Sequence, residues 1–234
     1  MSVPAGERII FEDNHILVVN KLPGQLVQPD TVKTISLEDT LKDYIRDKSG
    51  KTGNVYLGVI HRIDRPVSGA VMFSKSSKAL SRLNRLLQEK KIEKTYWAIV
   101  TNKPEKKEDS LINYLIRNTR NNTVKIFDKE IKDSQRAEMR YRWIAESDRY
   151  FLLEVKLITG RHHQIRAQLS HAGIPIKGDL KYGAARSNPD GSISLHSRQI
   201  NLEHPVTHEM LEIIAPVPDD KLWKFFETEA GIKK

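Results

Sequence analysis

Apolar residues cluster along this chain in short runs and in helical spacings, separated by polar turns. Ile9-Ile10-Phe11 and Ile16-Leu17-Val18-Val19 flank the polar Glu12-Asp13-Asn14, which predicts two strands and a turn. Pro23-Gly24 then ends the second strand. Apolar positions 37, 41, 44 and 45 have a helical period, with Ser36 placed as N-cap, and the polar stretch 47–54 reads as a loop. Tyr56 to Ile60 and Gly69 to Ser74 read as strands on either side of the turn His61-Arg62-Ile63-Asp64-Arg65-Pro66. Ser76 should cap a helix reaching about Lys91, with Ala79, Leu80, Leu83, Leu86 and Leu87 on its apolar face.

Lys94 to Val100 has the β-branched and aromatic content of a strand. Residues 101–137 are polar and charged, and predict short strands and an exposed excursion. Glu138 to Ala145 and Tyr150 to Ile158 predict an antiparallel pair turning at 147–149. Thr159-Gly160-Arg161 should open a helix through about Ala172, stopped by Gly173. Strands near 194–196 and 210–214 and a helix around 219–226 complete the chain. Strands and helices interleave without regular βαβα alternation, so the expected class is α+β with a largely antiparallel sheet. No composition shift marks a boundary, and one catalytic-type domain over 1–234 is the expectation.

Composition narrows the function classes. The chain has no cysteine, which excludes disulfides and thiolate zinc sites. No run approaches the roughly 20 apolar residues of a spanning helix. Met1-Ser2-Val3-Pro4 lacks the basic and apolar regions of a signal peptide, and a cytoplasmic protein is expected. Thirty-nine Lys and Arg against 30 Asp and Glu give +9, which favours a polyanionic partner. No phosphate-cradling Gly-x-x-x-x-Gly-Lys loop, dinucleotide fingerprint or Gly-x-Ser-x-Gly elbow is present.

Three places can carry chemistry. His61, Arg62 and Asp64 share a turn held between strands, where sites usually lie, although a turn aspartate is also an ordinary backbone acceptor. Thr159-Gly160-Arg161-His162-His163-Gln164-Ile165-Arg166 joins a strand to a helix start. Its amides suit an anion and its arginines suit a carboxylate or phosphate; a solvated helix face would look the same. Tyr96 lies on a strand, where packing explains a tyrosine equally well. Adjacent histidines on a helix point apart and no His-Glu-x-x-His pattern occurs, so His162, His163 and His171 predict no metal site.

Taken together, these segments resemble a known family. His61-Arg62-Ile63-Asp64 followed by Ser68-Gly69 resembles the signature of the RluA-type pseudouridine synthases. Lys94-Thr95-Tyr96-Trp97-Ala98 resembles their second motif and Thr159–Arg166 their third, continued by His171, Pro175-Ile176 and Gly178-Asp179. Ile16 to Gly24 resembles the family's N-terminal strand and its Asn-Lys-Pro-x-Gly turn. The likeness spans about residues 8–216. Ile63 stands for the usual Leu, Leu22 for a Pro, and His162-His163 for a single His.

The resemblance implies a pseudouridine synthase fold, a mixed and largely antiparallel sheet flanked by helices with a central cleft. It implies that a uridine in structured rRNA or tRNA loses its C1′–N1 bond and gains a C5–C1′ bond, with no redox change and no cofactor. Asp64 is then the catalytic carboxylate. Arg166 is its cationic partner, with Arg161 as the rival, and Tyr96 stacks on the base and serves proton transfer. Ile165 packs on the other face of the base. Arg62 fills the space left by the flipped uridine, and His61 and Arg161 lie on the substrate side. Lys78, Arg82 and Arg85 either follow the RNA backbone or simply face water. A monomer is expected. With no separate N-terminal RNA-binding domain in these 234 residues, the catalytic domain itself must grip RNA. The competing reading is a non-catalytic RNA-binding or RNA-folding factor on the same fold; a hydrolase using the same carboxylate is more remote.

Overall fold

Local chemistry sets most element boundaries in the computed structural model, which describes residues 4–30, 34–50 and 52–231. Met1–Val3, read above for a leader signal, lie outside them. In chain order the elements are β1 (Ile9–Glu12), β2 (Ile16–Lys21), α1 (Leu37–Ser49), β3 (Gly58–Val59), β4 (Ser68–Ser74), α2 (Ser77–Gln88), β5 (Glu93–Val100), β6 (Glu108–Asn118), β7 (Thr123–Phe127), β8 (Gln135–Glu146), β9 (Phe151–Leu157), α3 (Gln164–His171), β10 (Leu195–Glu203), β11 (Met210–Ile214) and α4 (Lys221–Glu229). Ser36 caps α1 through a full capping box with Asp39, and Ser76 caps α2 through the Ala79 amide, as the sequence predicts. Asp220 caps α4.

The chain divides into two compact units, 1–94 with 197–216 and 95–196 with 217–234. In the first, β2 pairs antiparallel with β1 and β4, and β10 with β11. Ile16 and Val18 of β2, Ala70 and Met72 of β4 and Ile200 and Leu202 of β10 share a core with Leu83 of α2. All seven residues of β4 are buried, so this strand has no solvent face. Gly69 is required there. Its φ is +112°, and a Cβ would overlap the Ser197 backbone of β10.

In the second unit the strand order is β5-β9-β8-β6-β7, and each of these pairs is antiparallel. Trp97, Ile99 and Leu152 pack on Trp223 and Phe226 of α4. The other face carries α3, whose Gln168 Nε2 donates to the Leu111 carbonyl (3.1 Å) and to Asn113 Oδ1 (2.8 Å) of β6.

Besides a shorter β3 (Gly58–Val59) and an α2 that ends at Gln88, the structure departs from the sequence expectations in four places. The excursion 101–137 holds two regular strands, and β6 runs for 11 residues. One face of β6 is open to water yet carries Ile112, Tyr114 and Ile116, while Asn113 is buried on the other, so no clean alternation marks the strand. Helix α1 continues to Ser49, because Tyr44 and Lys48 of its last turns reach Glu12 (3.0 and 2.8 Å). Strand β10 extends to Glu203 through polar residues that are nonetheless buried, such as Ser197 and Arg198. Helix α3 starts only at Gln164, because His163 adopts a left-handed φ of +50°.

Gly69→Ala should destabilise the protein by more than about 3 kcal/mol, since a backbone clash adds to a strained φ. Urea unfolding checks this; a change within 0.5 kcal/mol means the β4–β10 approach tolerates a side chain.

Candidate active site

The Asp64 turn is built from both sides. Ile63 (8% exposed) and Val67 (2%) are apolar pegs flanking it, and the Val67 amide donates to the Asp64 carbonyl (3.0 Å). The Arg65 carbonyl is the focal acceptor. It receives the Gly24 amide (2.7 Å) and Lys21 Nζ (3.1 Å), and Arg65 Nε donates back to the Gly24 carbonyl (2.9 Å). The Lys21–Gly24 turn and the Asp64 turn are therefore locked together.

Lys21 was quoted in the sequence only as part of a turn, yet it is fully buried. Its Nζ also donates to the carbonyls of Leu22 (2.9 Å) and Gln25 (3.0 Å). Three carbonyls match the three donors of an ammonium. Burial pulls its pKa down to about 7, against the opposing pull of the Asp64 carboxylate. A lysine ending an apolar strand was the available signal for this role.

His61 lies where β3 stops. Its Nε2 accepts the Met72 amide of β4 (3.2 Å), taking the place of a ladder carbonyl. The accepting nitrogen carries no hydrogen, so the neutral ring holds its proton on Nδ1. Burial, reinforced by the nearby Lys94 ammonium, drops the pKa to about 3 and keeps the ring neutral. Arg62 and Arg65 are exposed.

The third motif is organised differently from a helix start. Gln164 Oε1 accepts from the Arg161 amide (2.9 Å) and the Thr159 hydroxyl (2.8 Å), and Gln164 Nε2 donates to the Glu138 carbonyl of β8 (3.0 Å). The Arg161 amide is thus already satisfied rather than open to an anion. Arg161 Nε donates to the Arg136 carbonyl (3.2 Å). The rings of His162 and His163 stack with centroids 3.9 Å apart. The expectation that they point apart fails, because both precede the helix and His163 is left-handed. His171 is engaged by Asp128 (2.7 Å).

Arg166 (5% exposed) forms a bidentate pair with Asp179 (1%), through Nε to Oδ2 (2.6 Å) and Nη2 to Oδ1 (2.8 Å). Its guanidinium lies 5.0 Å from the Tyr182 ring centroid. Asp179 appeared in the sequence only as part of a family-like Gly-Asp step, and Tyr182 was not singled out. Tyr96 (6%) and Ile165 (5%) are both buried in the same unit. The stripe on α2 is partly used up: Arg82 donates to the Pro205 carbonyl (2.9 Å) and Arg85 pairs with Glu89 (2.8 Å).

Residues 15–171 match the profile of the RNA pseudouridylate synthase family. The chain belongs to that family. It is an RNA pseudouridine synthase, an isomerase. It is 30% identical to tRNA pseudouridine synthase C of Vibrio parahaemolyticus, over 99% of each chain. It is 31% identical to the uncharacterized RNA pseudouridine synthase YlyB of Bacillus subtilis, over 94% of this chain and 72% of that one. Among solved structures, human RNA pseudouridylate synthase domain containing 4 aligns with a TM-score of 0.79 at 20% identity, covering 98% of this chain and 95% of the other. The α+β pseudouridine synthase fold follows from that likeness, and the non-catalytic reading is not favoured. No helix among the described residues is long and apolar enough to cross a membrane.

Lys21→Met leaves the Leu22 and Gln25 carbonyls without that donor and should cost about 2–5 kcal/mol. Urea unfolding measures this, and a loss below 1 kcal/mol means the cage does not hold the turn. His61 supplies a pH test. The unfolded ring takes up a proton near 6.5 and the folded ring only near 3. The unfolded state therefore binds more protons in that window, and stability falls as pH falls through it, by up to about 1.4 kcal/mol per pH unit. His61→Gln should flatten that part of the acid limb. An identical acid profile in the variant would show that His61 accepts its proton without penalty.

Proposed function

We propose that this RNA pseudouridine synthase uses Asp64 as its catalytic carboxylate, with Arg166 as the cation that orients it. Tyr96 stacks on the uracil and assists proton transfer, and Ile165 packs against the other face. Arg62 enters the space left by the flipped nucleotide, while Arg161 and His61 line the substrate side. The whole chain acts as one catalytic domain, as a monomer, in the cytoplasm, without a cofactor.

The observation that carries this reading is the Asp64 turn, fixed at the Arg65 carbonyl by Lys21 and Gly24. A carboxylate on rigid backbone needs little reorganisation as charge develops beside the ribose. The Asp179 pair occupies the Nε edge of Arg166 and leaves the Nη1 edge outside it, which is what a second carboxylate needs. The motif likeness supports Tyr96 and Ile165.

The substrate is a uridine in structured tRNA, with rRNA as the second choice. The relatives named tRNA pseudouridine synthase C support this order, and the +9 charge fits either RNA.

Asp64→Asn should abolish pseudouridine formation, lowering it by roughly 1,000-fold or more, in a strain lacking the wild-type gene. Pseudouridine mapping of the tRNA and rRNA fractions reads it out. Unchanged modification would sink the assignment of Asp64, and a missing site in rRNA alone would sink the choice of tRNA.

A further inference from the structure

Asp179 and Tyr182 stand three residues apart on one short turn, where the Tyr182 and Ala184 amides both donate to the Asp179 carbonyl (3.0 Å each). That turn presents both side chains to Arg166. Asp179 takes the Nε–Nη2 edge of the guanidinium in its plane (2.6 and 2.8 Å). The guanidinium lies over the Tyr182 ring, 5.0 Å from its centroid. A planar cation held bidentately at one edge and packed over a ring keeps little freedom to turn.

Tyr182 is itself fixed. The Val124 amide of β7 donates to its phenol oxygen (3.0 Å), and the phenol and His163 Nδ1 lie 2.8 Å apart. The amide can only donate. A neutral His163 then satisfies all three groups when the phenol donates to Nδ1 and the imidazole proton sits on Nε2. Tyr182 therefore ties the β6–β7 hairpin, His163 and Arg166 into one unit.

We propose that Asp179 and Tyr182 are positioning residues for pseudouridine formation, holding Arg166 so that its Nη1 edge points in one direction. The inference rests on the reading that Arg166 serves the Asp64 carboxylate. It follows from charge as well as from geometry. Asp179 already neutralises Arg166, so what the arginine can still give a second carboxylate is directional hydrogen bonding rather than net charge.

The test uses the full chain and RNA labelled with tritium at uridine C5, taken from a strain lacking this gene. Each turnover replaces the C5 hydrogen by C1′ and releases the label to water. Asp179→Asn should lower kcat by roughly 10–100-fold, the range for residues that orient a catalytic group, with KM changed by less than about three-fold. Tyr182→Phe keeps the ring and should lose less activity than Tyr182→Leu, so the test survives if the Asp179 variant does not fold. A wild-type kcat in folded Asp179→Asn overturns the proposal. So does a kcat loss that only tracks the folded fraction, a KM rise that matches the kcat loss, or equal losses in the two Tyr182 variants. Asp64→Asn separates the two readings: retained turnover there overturns the carboxylate assignment itself, whereas a dead Asp64→Asn beside an unaffected Asp179→Asn overturns only the positioning role.

Discussion

An ammonium group taken out of water must find its solvation in the protein, and the way Lys21 does so shapes the turn beside it. Its three N–H groups are spent on the carbonyls of Leu22, Gln25 and Arg65. The first two belong to the turn after β2, and the third is the residue after Asp64. One buried side chain thus couples two turns that are 44 residues apart in sequence. The burial cost of an unpaired ammonium runs to several kcal/mol, which the three carbonyls offset. Gly69, opposite Lys21 in the β2–β4 ladder, lets β10 press close to β4 just after the turn. The Asp64 backbone is consequently fixed at both ends by packing and at its middle by charge.

The second unit handles its buried cation in another way. Arg166 sits on α3, where Gln164 and Gln168 are buried as well. This helix buries three polar side chains beside Ile165, Ala167 and Leu169, so its stability depends on meeting those hydrogen bonds as well as on apolar packing. Gln164 meets the Arg161 amide and the Glu138 carbonyl; Gln168 meets β6; Arg166 meets Asp179. Breaking one partner of such a pair costs about 3–5 kcal/mol, far more than a surface pair. This segment therefore behaves as one network rather than as an amphipathic helix with a loose polar face.

This division also explains what the sequence made legible. Ser36 and Ser76 act within three residues of themselves, and the strands around Ile16–Val19 and Gly69–Ser74 show as apolar runs, so local rules suffice. Asp64, Tyr96 and Arg166 stood out through motif spacing. Lys21, Asp179 and Tyr182 act through contacts that local rules do not reach: Lys21 on Arg65, and Tyr182 on Val124, 58 residues away. The left-handed His163 shortened a helix that periodicity had extended back to Thr159. Strand β6 was obscured for another reason: its water-facing side carries Ile112, Tyr114 and Ile116 and its inner side carries Asn113, so polarity does not alternate with burial.

Net charge gave the first hint of an RNA partner, and the fold shows how far that hint extends. Lys21 and Arg198 count toward +9, yet both are buried and donate to backbone carbonyls, Arg198 to that of Ala215 (2.6 Å). They cannot neutralise a phosphate. Arg82 and Arg85 are exposed but already engaged, by a carbonyl and a carboxylate. An ion pair at the surface is worth little, so Arg85 can exchange Glu89 for a phosphate at small cost, whereas Lys21 cannot leave its cage. The salt dependence of RNA binding follows the cations that can make that exchange and not the formal total. The buried basic residues Lys21 and Arg198 therefore serve the fold, and only exposed cations remain available to a phosphate.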